Sequence, residues 1–226
     1  MTLSIIMPVL DEAAGIEAAL RALSPTRARG VELIVVDGGS HDGTPGLARP
    51  LADRVLTAAR GRALQMNAGA AAARGDVFLF LHADTQLPAD ADRLVLDGLS
   101  RSGRVWGRFD IRIDGGGLLR VVAMMMNTRS RLTGIATGDQ AMFATRAAFD
   151  AVGGFPPIAL MEDLALSARL KRMGRPLALG ARATTSPRRW REHGTLRTIL
   201  KMWRLRLGFF LGADPEKLAR LYGYRY

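Results

Sequence analysis

The chain has 226 residues, 48% of them hydrophobic, no cysteine, and a formal net charge of +11. That length fits one mid-sized domain or two smaller halves joined together; the apolar content excludes intrinsic disorder, and the lack of cysteine excludes disulfide frameworks, thiolate zinc sites and cysteine nucleophiles. The positive charge is nearly all arginine spread along the chain, with aromatics at only 6%, so no nucleic-acid surface is expected, and the balance suits anionic substrates or lipid headgroups.

In chain order, Leu3 to Val9 reads as a buried strand ending near Pro8, and residues 13–23 as a helix with Ile16, Leu20 and Leu23 at helical spacing. Residues 33–36 form a second strand ending at Asp37-Gly38-Gly39-Ser40, residues 54–56 a weaker third, residues 64–73 a helix, and residues 77–81 a strand ending at His82-Ala83-Asp84. Continuous apolar strands alternating with helices predict a mostly parallel sheet covered on both faces. After Ser100, residues 105–113 alternate apolar with polar or small residues, as in a half-exposed antiparallel strand. Helices are expected over 118–132, over 162–173 with Gly174 ending it, and over 195–211 with Gly212 ending it. The last places Leu196, Ile199, Leu200, Trp203, Leu207 and Phe210 on one stripe beside basic Arg197, Lys201 and Arg204.

This divides the chain into residues 1–100 (nucleotide-binding half), 101–195 (smaller antiparallel and helical acceptor half) and a 196–226 amphipathic tail. Asp11-Glu12 interrupts the first apolar run, and no stretch approaches the roughly 20 apolar residues of a membrane span. A cytoplasmic protein is expected, with the tail as its one candidate for contact at the inner face of a membrane. Packing of Trp203 and Phe210 on the domain is the favoured role for that tail. Trp106 and Met124-Met125-Met126 are likewise expected in the core, with sugar stacking and an apolar acceptor groove as their respective alternatives.

Sites in open parallel sheets lie beyond the carboxyl ends of the strands. Acids stand there after three strands: Asp11 and Glu12, then Asp37, then Asp84. Such a group suits a hard cation or the hydroxyls of a ribose. The glycine-rich run after Asp37 lacks both the dinucleotide fingerprint and the P-loop lysine.

Taken in order, these pieces resemble the family 2 inverting glycosyltransferases. The resemblance rests on Leu3 to Glu12 and on Val35-Val36-Asp37-Gly38-Gly39-Ser40. It continues through Gly61-Arg62-Ala63 with Asn67-Ala68-Gly69, and Phe80-Leu81-His82-Ala83-Asp84-Thr85. Gly153-Gly154-Phe155 before Glu162-Asp163, and Arg189-Trp190, complete it. It implies the A-type glycosyltransferase fold and transfer of a sugar from a nucleoside diphosphate sugar to an acceptor hydroxyl. By that resemblance Pro8, Val9, Glu12, Asp37, Gly39, Arg62, Asn67, His82 and Ala83 border the nucleotide sugar, and Asp84 holds a divalent cation, manganese or magnesium. Asp163 is the implied base, with Glu162 beside it; without the resemblance Asp163 would read as an acid at a helix amino end. Asp139, Gln140, Arg189 and Trp190 are candidates for the acceptor or diphosphate.

Two positions depart from the pattern. His82 stands where many relatives carry the first acid of the metal motif, and Ser186 where processive relatives carry glutamine. The second points to single transfers. A sugar-phosphate nucleotidyltransferase, disfavoured by the acidic loop after the first strand, and a non-catalytic membrane-surface module are the competing readings.

Overall fold

The computed structural model describes residues 1–224, with the side chains of Arg189 and His193 outside that description. The elements run β1 (Leu3–Val9), α1 (Ile16–Ala22), α2 (Ser24–Ala28), β2 (Glu32–Asp37), α3 (Thr44–Ala48), β3 (Arg54–Thr57), α4 (Arg62–Ala72), β4 (Val77–Phe80), β5 (Thr85–Gln86) and α5 (Ala91–Ser102). The second part continues with β6 (Trp106–Ile113), α6 (Leu118–Thr133), a single tight turn of helix at Gly138–Gln140, β7 (Phe143–Thr145), α7 (Arg146–Ala151), α8 (Glu162–Met173) and β8 (Leu177–Thr185). The chain then closes with α9 (Arg188–His193), α10 (Thr195–Phe210) and α11 (Pro215–Tyr222).

Among the described residues one eight-stranded sheet runs in the order β3-β2-β1-β4-β7-β6-β8-β5. Strands β3, β2, β1 and β4 are parallel, as their uninterrupted apolar sequences predict. The period-2 alternation of β1 shows why both faces are covered. Ile5, Met7 and Val9 join Ile16, Leu20, Leu33 and Val35 in one core, while Ile6 joins Ile34, Val36 and Met66 in the other. Each such side chain contributes roughly 1.5 to 3 kcal/mol on burial. Helix α4 lies unusually close to β1, because a Cβ on Gly69 would come within 2.4 Å of Ile6 Cγ2. Beneath α7 and the 152–156 loop, Phe80 meets Phe149 at 5.3 Å and Phe155 at 4.8 Å between centroids.

The sheet therefore has the expected α/β character, with a parallel first half and antiparallel pairings at β4–β7, β6–β7 and β5–β8. Strand β6 departs from its sequence reading. It is an interior strand, antiparallel to β7 over two residue pairs but parallel to β8 from Gly107 to Ile113. Only part of its polar alternation faces water: Arg112 is exposed, but Arg108 is fully buried against Asp110, whose other oxygen accepts from Arg131 at 2.7 Å. A charged pair inside the sheet is indistinguishable in sequence from a solvated one.

Two further expectations are overturned on the helical side. Trp203 and Phe210 are 60% and 67% exposed. Helix α10 packs through the opposite face instead, burying Thr198 and Leu205 and setting Met202 and Phe209 against Leu160, Met161 and Leu164. Met124 and Met125 also lie outside the core, at 61% and 50% exposure, while Met126 is partly buried. Trp106 is a core residue, its Nε1 donating to the Gly174 carbonyl at 2.8 Å.

Candidate active site

The parallel strands bring their carboxyl ends to one rim, with Val9 opposite Asp37 and β4 running on into His82. Gln65 fixes that rim from α4. Its buried Nε2 donates to the Val9 and Val36 carbonyls, both at 2.8 Å, tying α4 to the ends of β1 and β2, and the Val9 carbonyl also accepts from the Gly38 amide.

The loop after β2 is stitched to the loop after β1. Asp37 accepts from the Gly39 and Ser40 amides and the Ser40 hydroxyl, Asp11 accepts from the His41 amide, and Asp42 accepts from the Ala13 amide. The Thr44 hydroxyl accepts from the Glu12 amide at 2.9 Å. Asp37 and Gly39 are thereby committed to the turn itself, and neither lines the cavity beside it.

That cavity, about 880 Å³, opens at the strand ends. Pro8, Val9 and Glu12 form its sheet edge, Arg62 enters from the first turn of α4, and His82, Ala83 and Asp84 follow β4. Asp139 and Trp190 complete this part of the wall. Asp84 is exposed and lines the space; among the described residues its carboxylate accepts only from the Thr85 hydroxyl, at 3.3 Å, while its carbonyl accepts from the Ser186 amide. His82 Nδ1 lies 3.4 Å from Asp139 Oδ1. The turn at Gly138 admits this contact only because it lacks a side chain: a Cβ there would fall 2.6 Å from His82 Cε1.

The same turn positions Asp163. Its Oδ2 accepts from the Gly138 amide and its Oδ1 from the Leu164 amide, both at 2.7 Å. Just before it, Met161 holds a left-handed backbone with φ of 70°, and Ala141 after the turn has φ of 44°. Such strain, on the order of 1 kcal/mol per residue, persists where the surroundings over-determine it. Glu162 is buried, and that burial, with Asp163 next to it, pushes its carboxyl up to about 7 against the opposing pull of Arg62 and His82. For Arg62, burial works against the cation, but facing Tyr224, Glu162, Tyr222 and Asp139 more than offset it and hold its pKa above the usual range. The Tyr224 ring lies 5.9 Å from its guanidinium.

Several expected residues fall elsewhere. Asn67 is a strut, donating to the Phe155 carbonyl and accepting from the Phe155 amide. Gln140 is fully buried and its Oε1 accepts from the Thr137 amide, so it closes the turn rather than facing an acceptor cleft. The Arg189 side chain lies outside the described residues, and neighbouring Arg188 approaches Glu12 at 3.4 Å. Glu162 and Asp163 sit behind the cavity wall at Gly138 and Asp139 rather than on it. Sequence reasoning missed Gln65, Gly138, Arg129 and Arg206. Only Gln65 carried a signal, as a polar residue among the apolar positions Ala63, Met66 and Ala70 of α4.

A divalent cation suits this donor set in one particular way. Among the described residues no three histidines or carboxylates converge into a cage, so a cation here would rest on Asp84 and complete its shell with substrate phosphate and water, as magnesium and manganese commonly do. Among the described residues no helix is long and apolar enough to cross a membrane.

Comparison with known proteins agrees with the architecture. The family described as glycosyl transferase family 2 matches residues 4–152. No curated protein matches in sequence. Among solved structures, S. aureus TarS 1-349 in complex with UDP-GlcNAc superposes with a TM-score of 0.68 at 17% identity, over 82% of this chain and 58% of that one. The mannosyltransferase PcManGT from Pyrobaculum calidifontis, in complex with GDP-Man and Mn2+, gives 0.66 at 20% identity over 98% and 69%. Glucosyl-3-phosphoglycerate synthase from Mycobacterium tuberculosis, with Mn2+, UDP and its product, gives 0.59 at 21% over 81% and 70%. The chain thus spans little more than half the length of the TarS fragment, and identities this low speak for the A-type fold alone.

Proposed function

Because this chain belongs to glycosyl transferase family 2, we propose that it moves a sugar from a nucleoside diphosphate sugar to an acceptor oxygen, with inversion and one transfer per encounter. The observation that carries this is the cavity at the strand ends, lined by an exposed Asp84 together with Arg62 and His82, with Asp163 anchored to Gly138 next to the lining residue Asp139. The solved relatives that bind UDP-GlcNAc, GDP-Man and Mn2+ support the same class of donor and cofactor.

In this reading Pro8, Val9 and Glu12 border the nucleoside, and Arg62 meets the diphosphate as a fixed cation. Asp84 would hold manganese or magnesium, which supplies neutralising charge where the leaving diphosphate becomes more negative. His82, packed on Gly138 and directed at Asp139, holds in place the turn that orients Asp163. Asp163 takes the proton of the attacking hydroxyl, oriented by its two backbone donors; a base of this kind contributes on the order of 10²- to 10⁴-fold. Glu162 supports it from the buried side. Ser186 leaves the cavity without the glutamine of processive relatives, consistent with single transfers.

Donor turnover in the unchanged protein and in Asp84→Ala and Asp163→Ala tests the proposal. Both variants should lose transfer while staying folded. Full activity in both would defeat the mechanism.

A further inference from the structure

The cavity does not end at the nucleotide rim. It continues between α6 and α10, walled by Met125, Met126, Ile199, Met202 and Trp203. Two arginines project into this apolar space. Arg129 Nε and Nη2 and Arg206 Nε are buried with no hydrogen-bond partner, and neither guanidinium forms an ion pair among the described residues. Burial, and then the nearness of Arg206, depress Arg129 to about 10, with Asp163 acting in the opposite direction. Two like charges kept close in an apolar cleft, each short of partners, destabilise the empty site and favour an anion that meets both. The nearness of Arg129 to Asp163 puts that anion at the accepting end of the cavity.

The outer surface says what the rest of the ligand is. Leu196, Leu200, Trp203, Leu207 and Phe210 form an exposed stripe along α10, with exposed Arg197 and Arg204 beside it. On α6, Leu118, Val121, Met124 and Met125 are also exposed. An apolar stripe bordered by arginine, with Trp203 shared between cavity and surface, has the charge and shape complementarity of an anionic bilayer surface.

We infer that the acceptor is a bilayer-borne amphiphile whose anionic, phosphate-class head sits between Arg129 and Arg206 and whose apolar chain leaves between α6 and α10 into the lipid. This rests on the transferase reading and names its acceptor class. The head is drawn in from an interface on which α10 lies, and the accepting oxygen reaches Asp163 without leaving the membrane surface.

Tryptophan fluorescence of the full chain, through Trp190 and Trp203, reports binding of n-dodecyl phosphate below its micellar concentration. The expected result is saturable binding, with inorganic phosphate and n-dodecyl maltoside each at least about tenfold weaker. Arg129→Gln and Arg206→Gln should each weaken n-dodecyl phosphate by about tenfold, the weight of one charge-assisted hydrogen bond, and leave the thermal shift given by UDP or GDP with Mn2+ unchanged. In flotation, the protein should rise with phosphatidylcholine vesicles that contain phosphatidylglycerol, and Trp203→Ser combined with Leu207→Ser should stay behind. Equal binding of the maltoside would reduce the groove to a plain apolar surface, and equal binding of phosphate alone would point to a soluble acceptor. Failure to float removes the bilayer. A lost nucleotide shift in the arginine variants would assign the pair to the donor; each of these results overturns the inference. Absence of a nucleotide shift in the unchanged protein would instead sink the transferase reading, which the amphiphile titration does not depend on.

Discussion

The parallel half of the sheet and the helical lobe formed by α6, α9 and α10 are finished to different degrees. In the first, strands are apolar on both faces, the strand-end carbonyls of β1 and β2 are met by Gln65, and the loops after β1 and β2 bond to each other through Asp11, Ser40, Asp42 and Thr44. In the second, large apolar side chains face outward and, among the described residues, buried guanidinium nitrogens of Arg129 and Arg206 have no hydrogen-bond partner. A region whose polar groups are already satisfied is built to hold a ligand in a fixed pose. A region with unsatisfied cations and bare apolar surface is completed by what it binds.

The sharpest way to break this contrast is chemical. Asp163→Asn should lower transfer by roughly 10²- to 10⁴-fold in a protein that stays folded, with a stability loss of roughly 1 to 3 kcal/mol because one of its two backbone donors loses its acceptor; a variant that transfers normally would put the base elsewhere. Next in size is the packed half itself. Phe80→Ala removes a ring from the Phe149 and Phe155 cluster and should cost roughly 3 to 5 kcal/mol in denaturant unfolding. Destabilisation well under 1 kcal/mol would mean that this core is looser than its geometry implies.

Glu162 offers a pH-dependent test of intermediate size. Its carboxyl, ordinarily near 4.5, is raised to about 7 in the fold. Between those values the folded state holds a proton that the unfolded state has lost. Stability from this group is therefore complete below about 4.5 and falls as pH rises towards and through 7. Glu162→Gln should remove that dependence, so its stability relative to the unchanged protein should be higher at pH 8 than at pH 5, by on the order of 2 kcal/mol. An identical difference at both values would show that Glu162 is not held in its acid form. The smallest effect is expected on the outer stripe, where Leu200→Ser should change stability by no more than about 0.5 kcal/mol. A larger loss would mean that this face is covered by protein.

The parallel strands were legible because an unbroken run such as Leu3 to Val9 has few other places to go. Helices α4 and α6 were legible from spacing, and α8 and α10 from spacing and from the glycines that follow them. The environment of β6 was not, because burial of Arg108 depends on Asp110 and on packing that sequence does not reveal. The face by which α10 docks was misjudged because the helix is apolar on two sides, and periodicity does not choose between them. Of the candidate site, Arg62, His82 and Asp84 were singled out by motif order, and all three line the one cavity. Asn67 and Gln140 belong to loop closure instead, and the Arg129–Arg206 pair is created by the approach of two helices far apart in sequence.

Calorimetric titration of UDP and GDP into the unchanged protein and into Asp84→Ala, each with and without Mn2+, tests the central claim most directly. The account predicts that Mn2+ strengthens binding of one nucleotide to the unchanged protein by about tenfold or more, through the carboxylate at the strand end, and that Asp84→Ala abolishes that gain. Equal, metal-independent affinity in both proteins, or no nucleotide binding at all, would contradict it.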